Sequence, residues 1–131
     1  MGWKGSQVSA SYMSRSLKAL SATLPLLISA QALGAQGSVV ASVNRVMMTG
    51  DSRWGGCMAA LSVDPGTALP SCTEWWVTFS CSGHFTDPVR AYRSLDIAEL
   101  ALATGKRVEV WFQDDKTHNG YCYANRIDVI R

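Results

Sequence analysis

The two histidines, His84 and His118, are the side chains of this sequence best suited to proton transfer near neutral pH. Each lies in a polar segment that we predict to be an exposed loop. With Ser80 or Ser82 as nucleophile, either could belong to a Ser–His–Asp triad, but no G-x-S-x-G motif is present. A solvated loop histidine is the simpler interpretation, so we predict no catalytic residue and keep a small hydrolase as a third hypothesis.

Three tryptophans are stronger candidates for a binding site. Trp54 lies in a glycine-rich segment, and Trp76 and Trp111 occupy strand positions opposite the apparent core positions. Outward tryptophan rings stack on sugars or bases, or bury against a partner subunit. The alternative is a second small core on the outer face of the sheet, or a cover for the helix. Arg45 and Arg53 could add polar contacts or form a solvated rim.

The polar segment from Asp114 to Gly120 is the other candidate region. Asp114, Asp115 and Asn119 could offer oxygen ligands to Ca²⁺, but their spacing lacks the EF-hand pattern. The segment ends in Asn-Gly, which is typical of a hairpin turn. We therefore expect a solvated turn, with no metal and no cofactor. Its side chains complete the set of candidate ligand-binding residues, which is Trp54, Trp76, Trp111, Asp114, His118 and Asn119.

Residues 1–35 have the pattern of a secretory signal peptide. A basic segment without acids precedes an apolar run that ends in small residues. The run is too short and interrupted for a spanning helix, which needs about 20 apolar residues. We predict cleavage after Ala35, with cleavage after Ala32 as an alternative and Met13 as a second possible start. An uncleaved anchor or a buried N-terminal helix is the competing interpretation.

Removal of this leader changes the charge balance. The chain has 12 Lys and Arg against 10 Asp and Glu, and three of the basic residues but no acid lie in residues 1–35. Residues 36–131 therefore carry nine basic and ten acidic residues, a net charge of −1. Since nucleic-acid-binding domains present a basic face, we expect no nucleic-acid partner. We predict one small exported domain over residues 36–131, in the periplasm or the medium, without a membrane span.

Five segments have the composition or alternation of β-strands. They are Val39–Thr49, Cys57–Val63, Trp75–Cys81, Val108–Gln113 and Tyr121–Ile130. The third alternates most regularly, and we interpret Trp75 as a core residue. An antiparallel hairpin of the second and third strands, with Cys57 opposite Cys81, places Ala59 opposite Phe79 and turns both apolar faces to the same side.

The four cysteines all follow the leader, and an even number in an exported chain predicts two disulfides. No C-x-x-C pair is present, so the spacing does not match a zinc site. The hairpin register favours the pairs Cys57–Cys81 and Cys72–Cys122. The alternative is Cys57–Cys72 with Cys81–Cys122.

One helix is predicted between the third and fourth strands. Thr86 or Asp87 can cap it, Pro88 suits its first position, and Gly105 suits the left-handed residue after its last turn. The stripe that would face a sheet consists of Ala91, Leu95, Ala98 and Leu102, with Tyr92 beside it. The order β-β-β-α-β-β predicts a small β-barrel with one helix, the OB-like arrangement. An α+β sandwich is the alternative.

Four segments resemble a family of small exported proteins of Gram-negative bacteria without an assigned function. They are Leu69–Cys72, Trp76–Cys81, Leu100–Val108 and His118–Tyr123, and the resemblance covers about residues 45–131. More distantly, the junction Ala101–Val110 is similar to the B subunits of pentameric subtilase- and pertussis-type toxins. Those subunits are exported, disulfide-bonded OB folds that bind host glycans. The resemblance implies this fold and ligand class, but it carries no glycan-binding residue over to this chain.

These observations together predict an exported, non-catalytic binding module whose partner is a glycan or a cell-surface receptor. Self-association into a homo-oligomer is a further expectation. The alternative is a periplasmic or secreted protein that binds another protein, for example as an inhibitor.

Overall fold

The computed structural model describes residues 33–72 and 74–131. The described chain contains β1 (Gln36–Met48), β2 (Cys57–Leu61), β3 (Trp76–Thr78), α1 (Pro88–Thr104), β4 (Arg107–His118) and β5 (Tyr121–Ile130). A 3₁₀ turn, Pro65–Thr67, lies between β2 and β3. The fold is thus mostly β with one helix, in the predicted order. The predicted leader lies outside the described residues except for positions 33–35, and its cleavage stays a prediction.

The five strands form one sheet that closes on itself. The strand order is β1-β2-β3-β5-β4, and β4 pairs back to β1. β1 is long enough to pair with two strands. Residues 36–42 pair with β4, and the rest of the strand pairs with β2. Every join is antiparallel except that of β3 with β5, which is parallel and rests on the single residue pair Thr78 and Tyr123. The alternative α+β sandwich, an open sheet with the helix on one face, does not match this closed sheet.

The core is built from the residues of each strand that point into the closed sheet. They include Val39, Ala41, Val43, Ala59, Leu61, Val77, Val108, Val110, Phe112, Ala124 and Ile127. Helix α1 packs against this core and contacts four of the strands. No helix in the described part of the chain is long and apolar enough to cross a membrane.

Helix α1 begins and ends where the sequence predicts. The Asp87 carboxylate accepts the Val89 backbone N–H at 2.9 Å, and Gly105 ends the helix with φ +67°. The predicted buried stripe is wrong at Leu102, which is 40% exposed while Ala101 is buried instead, and the flanking Tyr92 is also 40% exposed. Four- and three-residue steps are both compatible with a helical face. The small side chain of Ala101 faces the sheet in place of Leu102, because it allows closer approach of the helix.

The β2–β3 hairpin has a register two residues from the predicted one. Ala59 pairs with Val77 instead of Phe79. A shift of two residues leaves every side chain on the same face, so the predicted core face is correct although the pairing is wrong. The backbone N–H of Phe79 still bonds to the Cys57 carbonyl at 3.2 Å, just beyond the end of β3.

Strand β3 is shorter than predicted because left-handed residues interrupt it on both sides. Glu74 and Trp75 have φ of +61° and +63°, and Ser80 has φ of +60°. Such conformations are incompatible with extended strand and are uncommon for non-glycine residues. The interpretation of Trp75 as a core residue is wrong: its side chain is 52% exposed.

Two disulfides are present and join Cys57 to Cys81 and Cys72 to Cys122. Their Cα atoms are 5.5 and 5.4 Å apart, and no described cysteine is free. This is the connectivity favoured from the hairpin, although Cys57 and Cys81 are not direct strand partners. The left-handed Ser80 turns the chain so that Cys81 reaches back to β2. Two disulfides are typical of proteins in an oxidising compartment outside the cytosol.

The predicted polar turn from Asp114 to Gly120 is mostly strand. β4 continues to His118, and Asn119 and Gly120 alone form the turn, with φ of +53° and +87°. Positive φ at both central residues is the type I′ geometry that Asn-Gly favours. Between Gln113 and Thr117 the register with β5 shifts, so the three residues between them form a bulge.

Candidate functional site

One groove on the outer face of the sheet brings two of the candidate tryptophans together. It is lined by Met47, Trp54, Met58, Trp76 and Tyr121 and has a volume of about 190 Å³. We call it the aromatic groove. All of its side chains except the buried Met58 are half-buried, so the rings are ordered by packing and still reachable from solvent.

Strand pairing explains why these residues meet. Met47 on β1 pairs with Met58 on β2, and Ala60 on β2 pairs with Trp76 on β3. The neighbours of Met58 on β2, Cys57 and Ala59, point into the core, so Met58 points outward. It is nevertheless only 1% exposed.

Because Met58 points outward and is still buried, other side chains must pack over it on the outer face of the sheet. Trp54 comes from the loop between β1 and β2, and Tyr121 follows the turn between β4 and β5. Both lie with Trp76 around Met58. The groove is therefore the second small core weighed from the sequence, with a solvent-facing opening.

Two arginines rim the groove. The guanidinium carbon of Arg45 lies 5.8 Å from the centroid of the Trp76 ring, and that of Arg53 lies 5.4 Å from the centroid of Trp54. Both distances are in the range of cation–π contacts. Neither arginine forms an ion pair with a described residue. The rim thus offers two exposed planar donors beside aromatic faces.

The other sequence candidates lie elsewhere. Trp111 is 36% exposed on β4, with the Arg126 guanidinium 5.9 Å from its ring. Asp114 accepts a hydrogen bond from the Ser71 hydroxyl at 2.8 Å. Asn119 is a turn residue. None of these three lines the groove, whereas Met47, Met58 and Tyr121, which do, were not among the candidates.

His118 lies behind the groove in a buried polar cluster, and the prediction that it is an exposed loop residue is wrong. It is 8% exposed because β4 extends to it and turns its side chain inward. Its Nε2 is 3.0 Å from the hydroxyl of Ser80, which is fully buried and also accepts the Phe85 backbone N–H at 3.1 Å. The His118 ring contacts the Phe85 ring at 4.5 Å and that of the exposed His84 at 5.5 Å between centroids.

The electrostatics of the cluster favour a neutral His118. Burial lowers the pKa of His118 below its ordinary value of 6.5, and the nearby His84 lowers it further. Since the Ser80 oxygen accepts from Phe85, the Ser80 O–H is free to donate to the neutral Nε2. The pair resembles part of a hydrolytic triad, but no described carboxylate bonds to His118, and Ser80 has no exposed surface for a substrate. Its geometry favours a structural role.

We expect stability to fall at mildly acidic pH because of His118. In the folded state its pKa is lowered from 6.5, so the unfolded chain binds the proton more readily. This contribution is complete above pH 6.5 and is lost as the pH falls toward the folded-state value. Urea unfolding at pH 7.5 and 5.5 measures it. The loss should be smaller in His118→Gln, and smaller in His84→Ala because the pKa of His118 rises. An equal loss in all three proteins would contradict the assignment.

No group of three or more His, Cys, Asp or Glu side chains in the described residues is arranged to hold a metal ion. Comparison with models of protein families, with curated proteins and with solved structures gave no match to this chain.

Proposed function

We propose that this protein is an exported, non-catalytic OB-like domain that binds a glycan through the aromatic groove. The observation that carries the proposal is the meeting of Trp54, Trp76 and Tyr121 around one opening on the outer face of the sheet. Large, half-buried aromatic side chains on an outer face are typical of ligand and partner sites.

The topology supports this placement of the site. The closed five-stranded sheet in the order β1-β2-β3-β5-β4, with a helix between β3 and β4, supports the proposal of an OB-like arrangement. OB folds bind oligosaccharides and oligonucleotides on the face of strands 2 and 3 and on the loops joining strands 1–2 and 4–5. The groove takes Met58 and Trp76 from that face, Trp54 from the first loop and Tyr121 from beside the second.

The chemistry of the groove suits a sugar better than a nucleic acid. Aromatic faces stack on the C–H faces of pyranose rings, and the guanidinium groups of Arg45 and Arg53 can donate to hydroxyl or carboxylate oxygens. The net charge of −1 for residues 36–131 opposes the binding of a polyanionic strand. The resemblance to toxin B subunits supports the same ligand class. The leader pattern and the disulfides support export to the periplasm or the medium.

A glycan array probed with the purified protein tests the proposal. We expect specific hits whose affinity falls roughly thirtyfold or more in Trp76→Ala, because truncating a central aromatic anchor removes about 2 kcal/mol or more of binding energy. Trp54→Ala should behave similarly. Trp75→Ala and Trp111→Ala are matched controls, since both remove exposed tryptophans outside the groove. An array without hits, or equal losses in all four variants, would overturn glycan binding by the groove.

Met47 favours a protein partner as the second candidate. Its side chain lines the groove and is half-buried, and flexible thioether side chains are common on surfaces that bind peptides. Panning a displayed peptide library against the protein, with counter-selection on Trp76→Ala, would then yield binders while the array gives none.

Sedimentation of the purified protein reports self-association: a closed ring favours a toxin-like assembly, and a monomer argues against one.

A further inference from the structure

We propose that His118 is a positioning residue that makes the shape of the aromatic groove depend on pH, so that the groove holds its ligand at neutral pH and releases it in acid. The release of a ligand in acid rests on the proposed binding function. The coupling between His118 and the groove is a property of the ligand-free protein. It follows from two routes that connect His118 to the loop carrying Trp54.

The first route is direct packing. Gly55 has φ of +76°, and a Cβ placed on it would lie 2.5 Å from Cδ2 of His118. The loop backbone therefore rests against the imidazole with no room for a side chain between them. Gly55 follows Trp54 directly, so the position of the imidazole edge fixes the backbone next to one wall of the groove.

The second route is a chain of hydrogen bonds. His118 Nε2 meets the Ser80 hydroxyl at 3.0 Å, and the Ser80 backbone N–H donates to the Thr78 hydroxyl oxygen at 3.2 Å. The Thr78 hydroxyl then donates to the carbonyl of Trp54 at 2.8 Å. Ser80 and Thr78 are fully buried, so water does not replace these bonds in the folded state. The protonation state of His118 is thus linked to the backbone of Trp54.

Protonation of His118 changes which hydrogen bonds can form between His118 and Ser80. When His118 is neutral with Nε2 unprotonated, it can accept a hydrogen bond from the Ser80 hydroxyl, while the Phe85 N–H donates to the Ser80 oxygen. Once Nε2 carries a proton it becomes a donor, and the Ser80 O–H loses this acceptor. The second lone pair of the Ser80 oxygen can accept from the protonated Nε2, but the Ser80 O–H, which is buried, then needs another acceptor. Protonation therefore destabilises the present arrangement of His118 and Ser80.

The groups around His118 do not compensate for its charge. His84, on the segment before α1, contacts the ring and lowers the pKa of His118. The ring of Phe85 contacts His118 on one side and Tyr123 of β5 on the other. No described Asp or Glu bonds to His118, and none is among the causes that shift its pKa. Because Gly55 leaves no gap, any shift of the charged ring changes its contact with the backbone next to Trp54.

A ligand-free NMR titration tests the coupling. In the ¹⁵N-labelled protein, the Trp54 indole Nε1–H and the Gly55 amide are followed between pH 8 and pH 5, together with the His118 Cε1–H. The Trp54 indole is assigned from its loss in Trp54→Phe. We expect the three signals to titrate with one midpoint below 6.5. The Trp111 indole, which lies outside the groove, is the internal reference and should stay fixed in this range.

Two variants separate the coupling from a general structural effect. In His84→Ala the three midpoints should rise together, because removing His84 relieves the lowering of the His118 pKa. In His118→Gln, which keeps a side-chain polar group near Ser80, the Trp54 and Gly55 signals should no longer titrate. The proposal is overturned if Trp54 and Gly55 stay fixed while wild-type His118 titrates, or if they titrate unchanged in His118→Gln. Failure of the glycan array removes the ligand but leaves this result unaffected, so the two failures are distinguishable.

Discussion

Replacing Cys72 and Cys122 together by alanine will lower the free energy of unfolding by about 4 kcal/mol. The bond joins residues 50 positions apart, so its loss restores a large loop-closure entropy to the unfolded chain. The same double replacement of Cys57 and Cys81, which are 24 positions apart, will lower it by about 3.5 kcal/mol. Urea unfolding of the two variants at pH 7.5 measures both effects.

Removing both bonds tests the same account more severely. Small domains have about 5–15 kcal/mol of stability in total, so a chain without either disulfide is expected to be largely unfolded at 37 °C. Treatment of the wild type with dithiothreitol should have the same result by circular dichroism. A Cys72→Ala/Cys122→Ala variant with the wild-type urea midpoint would contradict the expected stabilisation.

The second large effect is expected for Gly55→Ala. The left-handed φ of +76° disfavours alanine by about 1 kcal/mol, and the new Cβ would meet Thr78 Oγ1 and His118 Cδ2 in a packed site. Overpacking of this kind typically destabilises by about 1–3 kcal/mol. We therefore expect a total loss of about 2–4 kcal/mol in the free energy of unfolding, measured by urea unfolding.

Gly50→Ala is the matched control, because it changes a glycine in the segment that joins the same two strands. Gly50 does not have a left-handed φ, and no heavy atom lies within 4 Å of the position its Cβ would take. Its replacement should change stability by no more than about 0.5 kcal/mol. Equal stabilities of the two variants would show that Gly55 is not packed against His118.

Local sequence patterns were sufficient where local physics decides the structure. Asp87, Pro88 and Gly105 set the bounds of α1, because caps and left-handed ends depend on neighbouring residues alone. Alternation identified the core face of β2 and β3. It could not fix their register, since a shift of two residues preserves the alternation. Ser80, which interrupts the predicted strand after β3, is left-handed without being glycine or asparagine, and no sequence pattern marks it.

The site was predicted in part for the same reason. Trp54 and Trp76 were recognisable as large side chains on a loop and on an outer face. Their meeting with Tyr121 depends on closure of the sheet, which places the β4–β5 turn near β2. His118 was misplaced because a polar segment ending in Asn-Gly is typical of a turn. Its buried hydrogen-bond partner, Ser80, lies 38 residues earlier in the chain, so local sequence could not reveal this contact.

The parallel pairing of β3 with β5 determines where the closed sheet can open locally. With one residue pair, Thr78 and Tyr123, it has the fewest paired residues of any join in the sheet. Cys122 directly precedes Tyr123, and its bond to Cys72 ties β5 to the segment that leads into β3. The disulfide therefore joins β5 covalently to the chain leading into β3, where the sheet has the fewest paired residues. After reduction of this bond, the join between the two strands depends on the single pair Thr78 and Tyr123.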